Sequence, residues 1–537
     1  MDGKVEPQAR RGAGFLGATR FDWSLVLGAV AIGIIGYLIG DRTDWSGGFG
    51  YDGRFYGELA KNFPSAVFGH GAVIPPGLGH YEGPQLTGVD SYYAFRILPS
   101  GIVWLGLQVL SLSPTDGHVV GLFAGLDAAM FGTAVFFWCL SANLLDLGDR
   151  AKVLGAIALI VNFAVLKTGS YYPVLTDHVA FGLGSATLYF WLRGATPWLA
   201  LCTLVACFAW PPFLVVGPLL LLFPAPTDAR ERLAAEAAQP GPASWRPAPF
   251  GLAIGAVVGL AAVTTLTVIQ LQGYRSVEGT EQLPLFPLSA FATGLYVAAV
   301  VAFLLPHGGV GKLVRIVRSI SLWHIATAAT LVVAVLVAGS LLARRPGFAA
   351  SDLFKDALWS TTLDPGLFLV VLVGYYGPIL LLIGADFPRV AASAWRLGPG
   401  MAGVLGIGLL SALLSQPREV IEVFPFLVLA GVLATRRIYP TSRLAIAGFL
   451  VLSLALSRVW LHIGSIGFDT SRLQEFPAQR YFMATGTWTP PSMYAVQLGA
   501  VIVVGALLWL IARAARRPGP PVEESAGTDF GYRSSSA

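Results

Sequence analysis

The stretch WSLVLGAVAIGIIGYLIG, residues 23–40, contains no charged side chain. A bilayer core requires about 20 apolar residues in a helix, so this run is close to the length of one crossing. Arg10, Arg11 and Arg20 precede it, and no A-x-A cleavage site follows it, which distinguishes it from a secretory signal peptide. Because basic residues concentrate on the cytoplasmic side of membranes, the pattern predicts an uncleaved first transmembrane helix with a cytoplasmic N-terminus.

The composition extends this interpretation to the whole chain. Of 537 residues, 55% are hydrophobic and 12% are charged, whereas soluble domains carry about 25% charged residues. The net charge of +5 arises from short basic runs between apolar segments, and no nucleic-acid-binding motif is present. We therefore predict an all-α polytopic membrane protein with about 12 to 14 membrane segments, in contact with membrane lipids and without a nucleic-acid partner.

Apolar and basic segments divide the chain into five parts. The predicted parts are a cytoplasmic N-terminal segment (1–22), an N-terminal membrane module (23–222), a cytoplasmic loop (223–248), a C-terminal membrane module (249–513) and a disordered cytoplasmic tail (514–537). The N-terminal module contains a first extracytoplasmic loop, residues 41–97, and a second motif loop, residues 167–178; these are called the first loop and the second loop below. Basic clusters place both termini in the cytoplasm.

Two apolar stretches leave the topology of the N-terminal module open. Residues 98–112 are short for a crossing, and residues 197–222 are interrupted by two consecutive prolines. If 98–112 spans the membrane, the second loop lies inside, opposite the first. If 98–112 is re-entrant or interfacial and 197–222 turns back, both loops lie outside. We favour the second arrangement because it also places Arg150, Lys152 and Arg193 inside.

The first loop contains GYDGRFYGELAKNF, residues 50–63, which has more charged and aromatic side chains than a connecting loop requires. Phe55, Leu59 and Asn62 have helical spacing, so Asp52 is expected at the start of a short helix, where the free N–H groups and the dipole favour a carboxylate. The spacing fits two interpretations equally. Asp52 either caps an interfacial helix or acts as a catalytic carboxylate fixed in direction by that helix.

Three short motifs resemble those of one enzyme superfamily. Tyr51-Asp52-Gly53 with Tyr56 and Leu59-Ala60 resembles the first-loop carboxylate motif of the C-type (GT-C) glycosyltransferases. Arg96-Ile97-Leu98-Pro99 and Leu175-Thr176-Asp177 are similar to later motifs of the same superfamily. The resemblance implies a GT-C-like helical bundle with short interfacial helices on its extracytoplasmic loops. It also implies a membrane glycosyltransferase that moves a sugar from a polyprenyl-phosphate donor to a glycan or lipid acceptor by inverting transfer.

The resemblance implies catalytic roles for Asp52 and Asp177. We predict substrate contacts for eight further residues: Arg54, Tyr56, Glu58, Arg96, Tyr171, Tyr172, His178 and Arg418. Arginine suits the leaving phosphate, because its planar guanidinium binds phosphate with two hydrogen bonds. Structural alternatives stand beside these roles: arginines that reach lipid headgroups, tyrosines of an interfacial belt, and a histidine hydrogen-bonded at a helix end.

The sequence also bears on metal binding, on the location of the protein and on competing functions. His178 follows Asp177, so the second loop lacks a D-x-D motif; no metal ligand or cofactor is assigned, and a divalent metal is left open. Resemblance to bacterial members implies a bacterial inner membrane with an extracytoplasmic active face. Competing functions are a carrier or flippase for a lipid-linked saccharide and a non-catalytic membrane partner protein. Asp127, an intramembrane carboxylate, is a further candidate, with Arg96 as a conceivable partner.

Overall fold

The computed structural model describes residues 17–43, 45–50, 53–69, 89–238, 247–272, 285–306, 309–343, 358–359, 361–414, 416–436, 442–461, 489 and 491–515. All elements in these residues are helices, which confirms the predicted all-α class. They are α1 (Arg20–Ile39), α2 (Gly53–Lys61), α3 (Phe63–Phe68), α4 (Ser91–Ala94), α5 (Ile97–Val109), α6 (Asp116–Leu144), α7 (Asp149–Ile160), α8 (Phe163–Leu166), α9 (Thr168–Tyr171), α10 (Asp177–Leu192), α11 (Thr196–Ala206), α12 (Phe213–Leu222), α13 (Ala229–Ala238), α14 (Pro249–Leu271), α15 (Phe286–Leu304), α16 (Gly309–Arg318), α17 (Leu322–Leu342), α18 (Leu367–Tyr376), α19 (Ile379–Ala385), α20 (Phe387–Leu397), α21 (Pro399–Ser411), α22 (Phe424–Thr435), α23 (Arg443–Ser457) and α24 (Pro491–Ala515).

The protein is polytopic, and the part of the chain that the structure describes contains both long apolar helices and shorter ones. In the described residues, six helices are long and apolar enough to cross a membrane: α1, α6, α14, α15, α17 and α24. A seventh span is formed if α7 and the α8–α9 segment count as one crossing bent by 54°. Several other apolar stretches are divided into helices of 10 to 17 residues, because turns and prolines interrupt them.

Helices α1 and α6 pack antiparallel, and their contacts define the two ends of the bundle. At one end, the Asp22 carboxylate accepts hydrogen bonds from Lys152 Nζ at 2.8 Å and Asn143 Nδ2 at 3.0 Å. At the other end, Gly40 lies so close to Ser170 that an added Cβ would be 2.7 Å from the serine side chain. We call these the Asp22 end and the Gly40 end; the positive-inside pattern predicts that the Asp22 end is cytoplasmic.

The path of the chain after α1 favours the second of the two predicted topologies. Ser100 Oγ, in the first turn of α5, donates to the carbonyl of Tyr56 at 2.9 Å. Asp116, the first residue of α6, lies 2.5 Å from Lys61 Nζ at the end of α2. The beginnings of α5 and of α6 are therefore both at the Gly40 end. Helix α5 packs beside the first loop and does not carry the chain across.

Helices α11 and α12 form a hairpin. The indole N–H of Trp191, in the last turn of α10, donates to the carbonyl of Phe223 at 2.9 Å, so the hairpin begins and ends near the Asp22 end. Its tip reaches α5 at the Gly40 end, where the backbone N–H of Leu98 donates to the carbonyl of Phe208 at 2.9 Å. The proline-broken segment thus turns back, as the second topology requires, and the second loop lies at the same end as the first.

Close helix approach organises the C-terminal half. Gly251, Gly255 and Gly259 recur every fourth residue of α14, and a Cβ on each would lie 2.5–2.6 Å from a backbone oxygen of α15. Spacing of small residues by four is a common device for tight helix packing in membranes. All residues of helix α22 are buried, and the helix contacts α7, α10, α19 and α20.

Candidate functional site

The first and second loops are in direct contact. Gly50 has φ +73, and a Cβ there would lie 1.9 Å from the ring of Tyr172. Gly53 begins α2, and a Cβ there would lie 2.7 Å from the carbonyl oxygen of Val174. Only glycine allows both approaches without a shift of the neighbouring residue. Tyr51 and Asp52 lie outside the described residues, but the glycines on either side of them both pack against the second loop.

Electrostatic contacts hold α2 in place. Lys61 Nζ lies 2.7 Å from Glu58 and 2.5 Å from Asp116. Burial lowers the pKa of Lys61, but the two carboxylates outweigh this effect and raise it. The pKa of Arg54 is lowered, because burial outweighs the favourable charge of Glu58. Arg54 and Glu58, two of the predicted substrate-binding residues on this helix, are both half-buried.

Tyr56, the third predicted substrate-binding residue of α2, is almost completely buried, with 2% of its surface exposed. It packs in an apolar cluster with Val103 and Phe123, and its ring meets that of Tyr93 edge to face at 5.8 Å. The Tyr56 side chain also lies within electrostatic range of Arg96. It thus links the first loop to the arginine that immediately precedes α5.

Asp177 is the first residue of α10 and is 1% exposed. Its Oδ1 atom is buried and has no hydrogen-bond partner among the described residues. The free N–H groups and the dipole of a helix N-terminus are favourable surroundings for an acidic side chain. Tyr375, Tyr376 and Glu422 lie within electrostatic range of Asp177, so residues from the C-terminal module complete its surroundings.

His178 has a close polar neighbour at each ring nitrogen. Nε2 lies 3.1 Å from the carbonyl oxygen of Ala164, and Nδ1 lies 3.0 Å from Asp127 Oδ2. The ring of Phe131 packs edge to face against the imidazole at 5.0 Å. The partner of Asp127 is therefore His178, whereas Arg96 lies elsewhere. These contacts favour the structural interpretation of His178; sugar binding by it stays a prediction.

Arg96 is buried rather than extended towards lipid headgroups. It is 5% exposed, and its guanidinium carbon lies 4.2 Å from the ring centre of Tyr92 and 4.5 Å from that of Trp210. The charges of Arg418 and Glu419, in the turn Pro417–Val420, reach Arg96. The structure thus brings the two predicted phosphate-binding arginines, which are far apart in the sequence, into one cluster.

Tyr171 and Tyr172 connect the loops and are not both part of a surface belt. Tyr171 is 3% exposed, its carbonyl accepts from the backbone N–H of Thr43 at 3.2 Å, and the two tyrosine rings are 5.4 Å apart. An ion pair between Lys167 and Asp41 adds a second tie between the loops. Tyr172 packs against Gly50, as described above.

Four residues of this region were missed at the level of sequence: Trp210, Tyr375, Tyr376 and Glu422. The Trp210 indole donates to Glu422 Oε2 at 3.1 Å, and the Tyr376 hydroxyl donates to the carbonyl of Pro417 at 2.9 Å. Glu422 carried a usable signal, since it is a carboxylate in the apolar run VIEVFPFLVL. The aromatic residues carried none, because they occur throughout the apolar segments.

Metal binding has limited support. No group of three or more His, Cys, Asp or Glu side chains within the described ranges is arranged to hold a metal ion. Asp177 Oδ1 is a buried carboxylate oxygen without a hydrogen-bond partner there, and Asp52, the other predicted carboxylate, is not among those ranges. Among the described residues, Asp177 Oδ1 is thus a possible single ligand atom and not a complete metal site.

Comparison with known proteins gives a distant structural likeness. No protein-family model and no curated protein sequence matches the chain. Among solved structures, it is similar to the archaeal oligosaccharyltransferase AglB from Archaeoglobus fulgidus in complex with an inhibitory peptide and a dolichol-phosphate, with a TM-score of 0.44 and 14% identity over 87% of this chain and 60% of that one.

Two further structures of the Archaeoglobus fulgidus oligosaccharyltransferase show a similar overlap. The apo form has a TM-score of 0.42 at 13% identity and covers 86% of this chain and 60% of that one. The form tethered to an acceptor peptide containing the NVT sequon has a TM-score of 0.41 at 13% identity and covers 88% and 59%. The chain thus spans about 60% of the length of these structures. Similarity at this level assigns no residue roles.

Proposed function

We propose that the protein is a membrane glycosyltransferase that transfers a sugar from a polyprenyl-phosphate donor to a glycan or lipid acceptor at the extracytoplasmic face. The observation that carries the proposal is the contact between the two loops. Gly50 and Gly53, which flank Tyr51 and Asp52, pack against the segment that leads to Asp177. Two motifs that resemble those of GT-C enzymes therefore belong to one end of the bundle.

A carboxylate acts as the base in the proposed reaction, and Asp52 is our first choice. It takes the proton of an acceptor hydroxyl, whose oxygen attacks the anomeric carbon of the sugar. The new C–O bond forms on the face opposite the lipid phosphate while the bond to that phosphate breaks. The bonding pair leaves with the phosphate, and the configuration at the anomeric carbon is inverted. Asp177 is the second carboxylate, placed by the start of α10.

Arg96 and Arg418 are proposed to stabilise the leaving phosphate. Negative charge increases on this group in the transition state, and preorganised cations in a site that excludes water are effective there. The burial of Arg96 and its electrostatic proximity to Arg418 support this role. Arg96 immediately precedes α5 and Arg418 lies in the turn Pro417–Val420, so two separate segments would supply the positive charge.

The test is sugar transfer from a polyprenyl-phosphate donor by the purified protein in lipid vesicles. We expect Asp52→Asn and Asp177→Asn each to lower kcat by about 100-fold or more, the range typical of lost acid–base catalysis. Asp228→Asn is the matched control, because Asp228 is a partly exposed carboxylate in the predicted cytoplasmic loop, where it pairs with Arg232 at 2.8 Å. Full activity of both site variants would refute the assignment. Translocation of a lipid-linked saccharide without sugar transfer would favour a carrier instead.

A further inference from the structure

Trp210 occupies a central position between a carboxyl group and a guanidinium. It lies in the tip between α11 and α12 and is completely buried. Its indole N–H donates to Glu422 Oε2 at 3.1 Å, and its ring centre lies 4.5 Å from the guanidinium carbon of Arg96. Glu422 is itself 1% exposed. Three buried side chains from three separate segments are thus connected in series.

The backbones that carry these side chains are fixed by tight contacts. A Cβ at Gly184, in α10, would lie 2.2 Å from the carbonyl oxygen of Glu422, so the helix packs directly on the turn that holds the glutamate. The backbone bond from Leu98 to Phe208 joins the residues after Arg96 to the tip that carries Trp210. The side-chain geometry is therefore set by rigid elements.

An indole has one hydrogen-bond donor, its N–H. When that donor is buried, loss of its acceptor leaves an unpaired polar group, which is unfavourable. Rotation of the ring towards another acceptor would lower this cost. Rotation would change the ring face offered to Arg96, and a cation over an aromatic face depends on that orientation. The carboxyl group of Glu422 therefore controls the plane of the indole, and the indole controls the guanidinium.

We infer that Glu422 is a positioning residue: by accepting the Trp210 N–H, it fixes the indole against Arg96 and holds the guanidinium in the orientation that binds the phosphate of the lipid donor. This inference rests on the proposed function. Glu422 acts through its acceptor oxygen, so a glutamine can replace it, whereas an apolar side chain cannot.

The inference is tested by donor binding and sugar transfer in four variants of the full chain. Glu422→Leu removes the acceptor, Glu422→Gln keeps it, and Trp210→Phe removes the donor. We expect the Leu and Phe variants to raise the KM for the lipid donor, and the Kd for unlabelled polyprenyl phosphate, by about three- to tenfold, the loss of one hydrogen bond. The kcat should fall as well, because the same guanidinium is proposed to stabilise the leaving phosphate in the transition state. Glu422→Gln should stay within about twofold in all three constants.

Trp191→Phe is the matched control. It removes an indole N–H bond of similar length, from Trp191 to Phe223, near the opposite end of the bundle. It should lower thermal stability without raising the KM. Inorganic phosphate serves as a second probe. A rise in Kd confined to polyprenyl phosphate indicates that the site recognises the lipid-bound phosphate, and an equal rise for both probes indicates that it recognises the phosphate group alone. Either result supports positioning of Arg96.

Three results would overturn the inference. An unchanged KM in both Glu422→Leu and Trp210→Phe would show that the hydrogen bond does not position the site. A Glu422→Gln variant as impaired as Glu422→Leu would assign the role to the ionisable carboxyl group. An equal rise of KM in Trp191→Phe would show a general loss of structure. If Glu422→Leu fails to fold, Trp210→Phe and Glu422→Gln still decide. Wild-type protein that neither binds polyprenyl phosphate nor transfers sugar would refute the proposed function itself. Wild-type activity combined with any of the three results above would refute only the role of Glu422.

Discussion

Replacing Gly50 with alanine should separate the two loops. Gly50 has φ +73, and its added Cβ would lie 1.9 Å from the ring of Tyr172, far inside van der Waals contact. Alanine therefore meets two penalties, a left-handed backbone and a collision with a ring that is packed against Tyr171. Both penalties act on the segment that leads directly to Asp52.

The magnitude follows from these two terms. A left-handed conformation costs a residue other than glycine about 1–2 kcal/mol. Forcing extra volume into a packed site typically costs about 1–3 kcal/mol more. Gly48 provides the matched control, because it has φ +92 but the atom nearest to its added Cβ is 3.5 Å away. Gly48→Ala should therefore lower the free energy of unfolding by the cost of the left-handed backbone alone, about 1–2 kcal/mol.

The assay combines thermal unfolding with sugar transfer in lipid vesicles. Gly50→Ala should be less stable than Gly48→Ala and should lose at least about tenfold in activity, since a displacement near 1 Å can cost about 100-fold. Adding Tyr172→Ala to Gly50→Ala should recover part of the stability by removing the collision. If Gly50→Ala and Gly48→Ala behave alike, the contact between the loops is not as described, and the reasoning fails.

Three further perturbations test the framework around the site. Asp127→Leu leaves the buried Nδ1 of His178 without its partner and should lower stability in thermal melts by about 1–3 kcal/mol, whereas the double Leu variant with His178→Leu should recover part of this loss. Lys61→Met should lower the melting temperature equally at pH 6 and pH 9, because the raised pKa of Lys61 keeps its contribution intact below the ordinary lysine range. In wild type that contribution disappears only as pH rises through the raised pKa; a difference between pH 6 and pH 9 would contradict the pairing with Asp116. Gly255→Leu should separate α14 from α15 and cost about 1–3 kcal/mol, visible as faster proteolysis; wild-type resistance would argue against that packing.

Local composition was sufficient to predict the membrane class and several breaks in the helices. The uncharged run 23–40 contains most of α1, and the consecutive prolines Pro211 and Pro212 mark the turn of the α11–α12 hairpin. These features depend on residues that are neighbours in sequence. The division of the apolar stretches into six long helices and several shorter ones within the described residues was not predictable in this way, because hydropathy measures apolar length and does not register a bend such as the one between α7 and α8. The number of 12 to 14 membrane segments stays a prediction.

Contacts between distant residues could not be predicted in the same way. Asp127 was recognised as an unusual carboxylate, but its partner His178 is contributed by a different helix. Trp210 and Glu422 are 212 positions apart, and their hydrogen bond depends on the packing of the hairpin tip against the turn before α22. The resemblance of short motifs indicated Asp177 and Arg96, yet only the packing of Gly50 and Gly53 brings the two loops together.

The most direct test of the central claim is a density map of the protein with a polyprenyl-phosphate sugar bound. The account predicts the phosphate beside Arg96 and Arg418 at the Gly40 end, with the sugar directed towards the first loop and Asp177. A phosphate bound at the Asp22 end, beside Lys152, would contradict it.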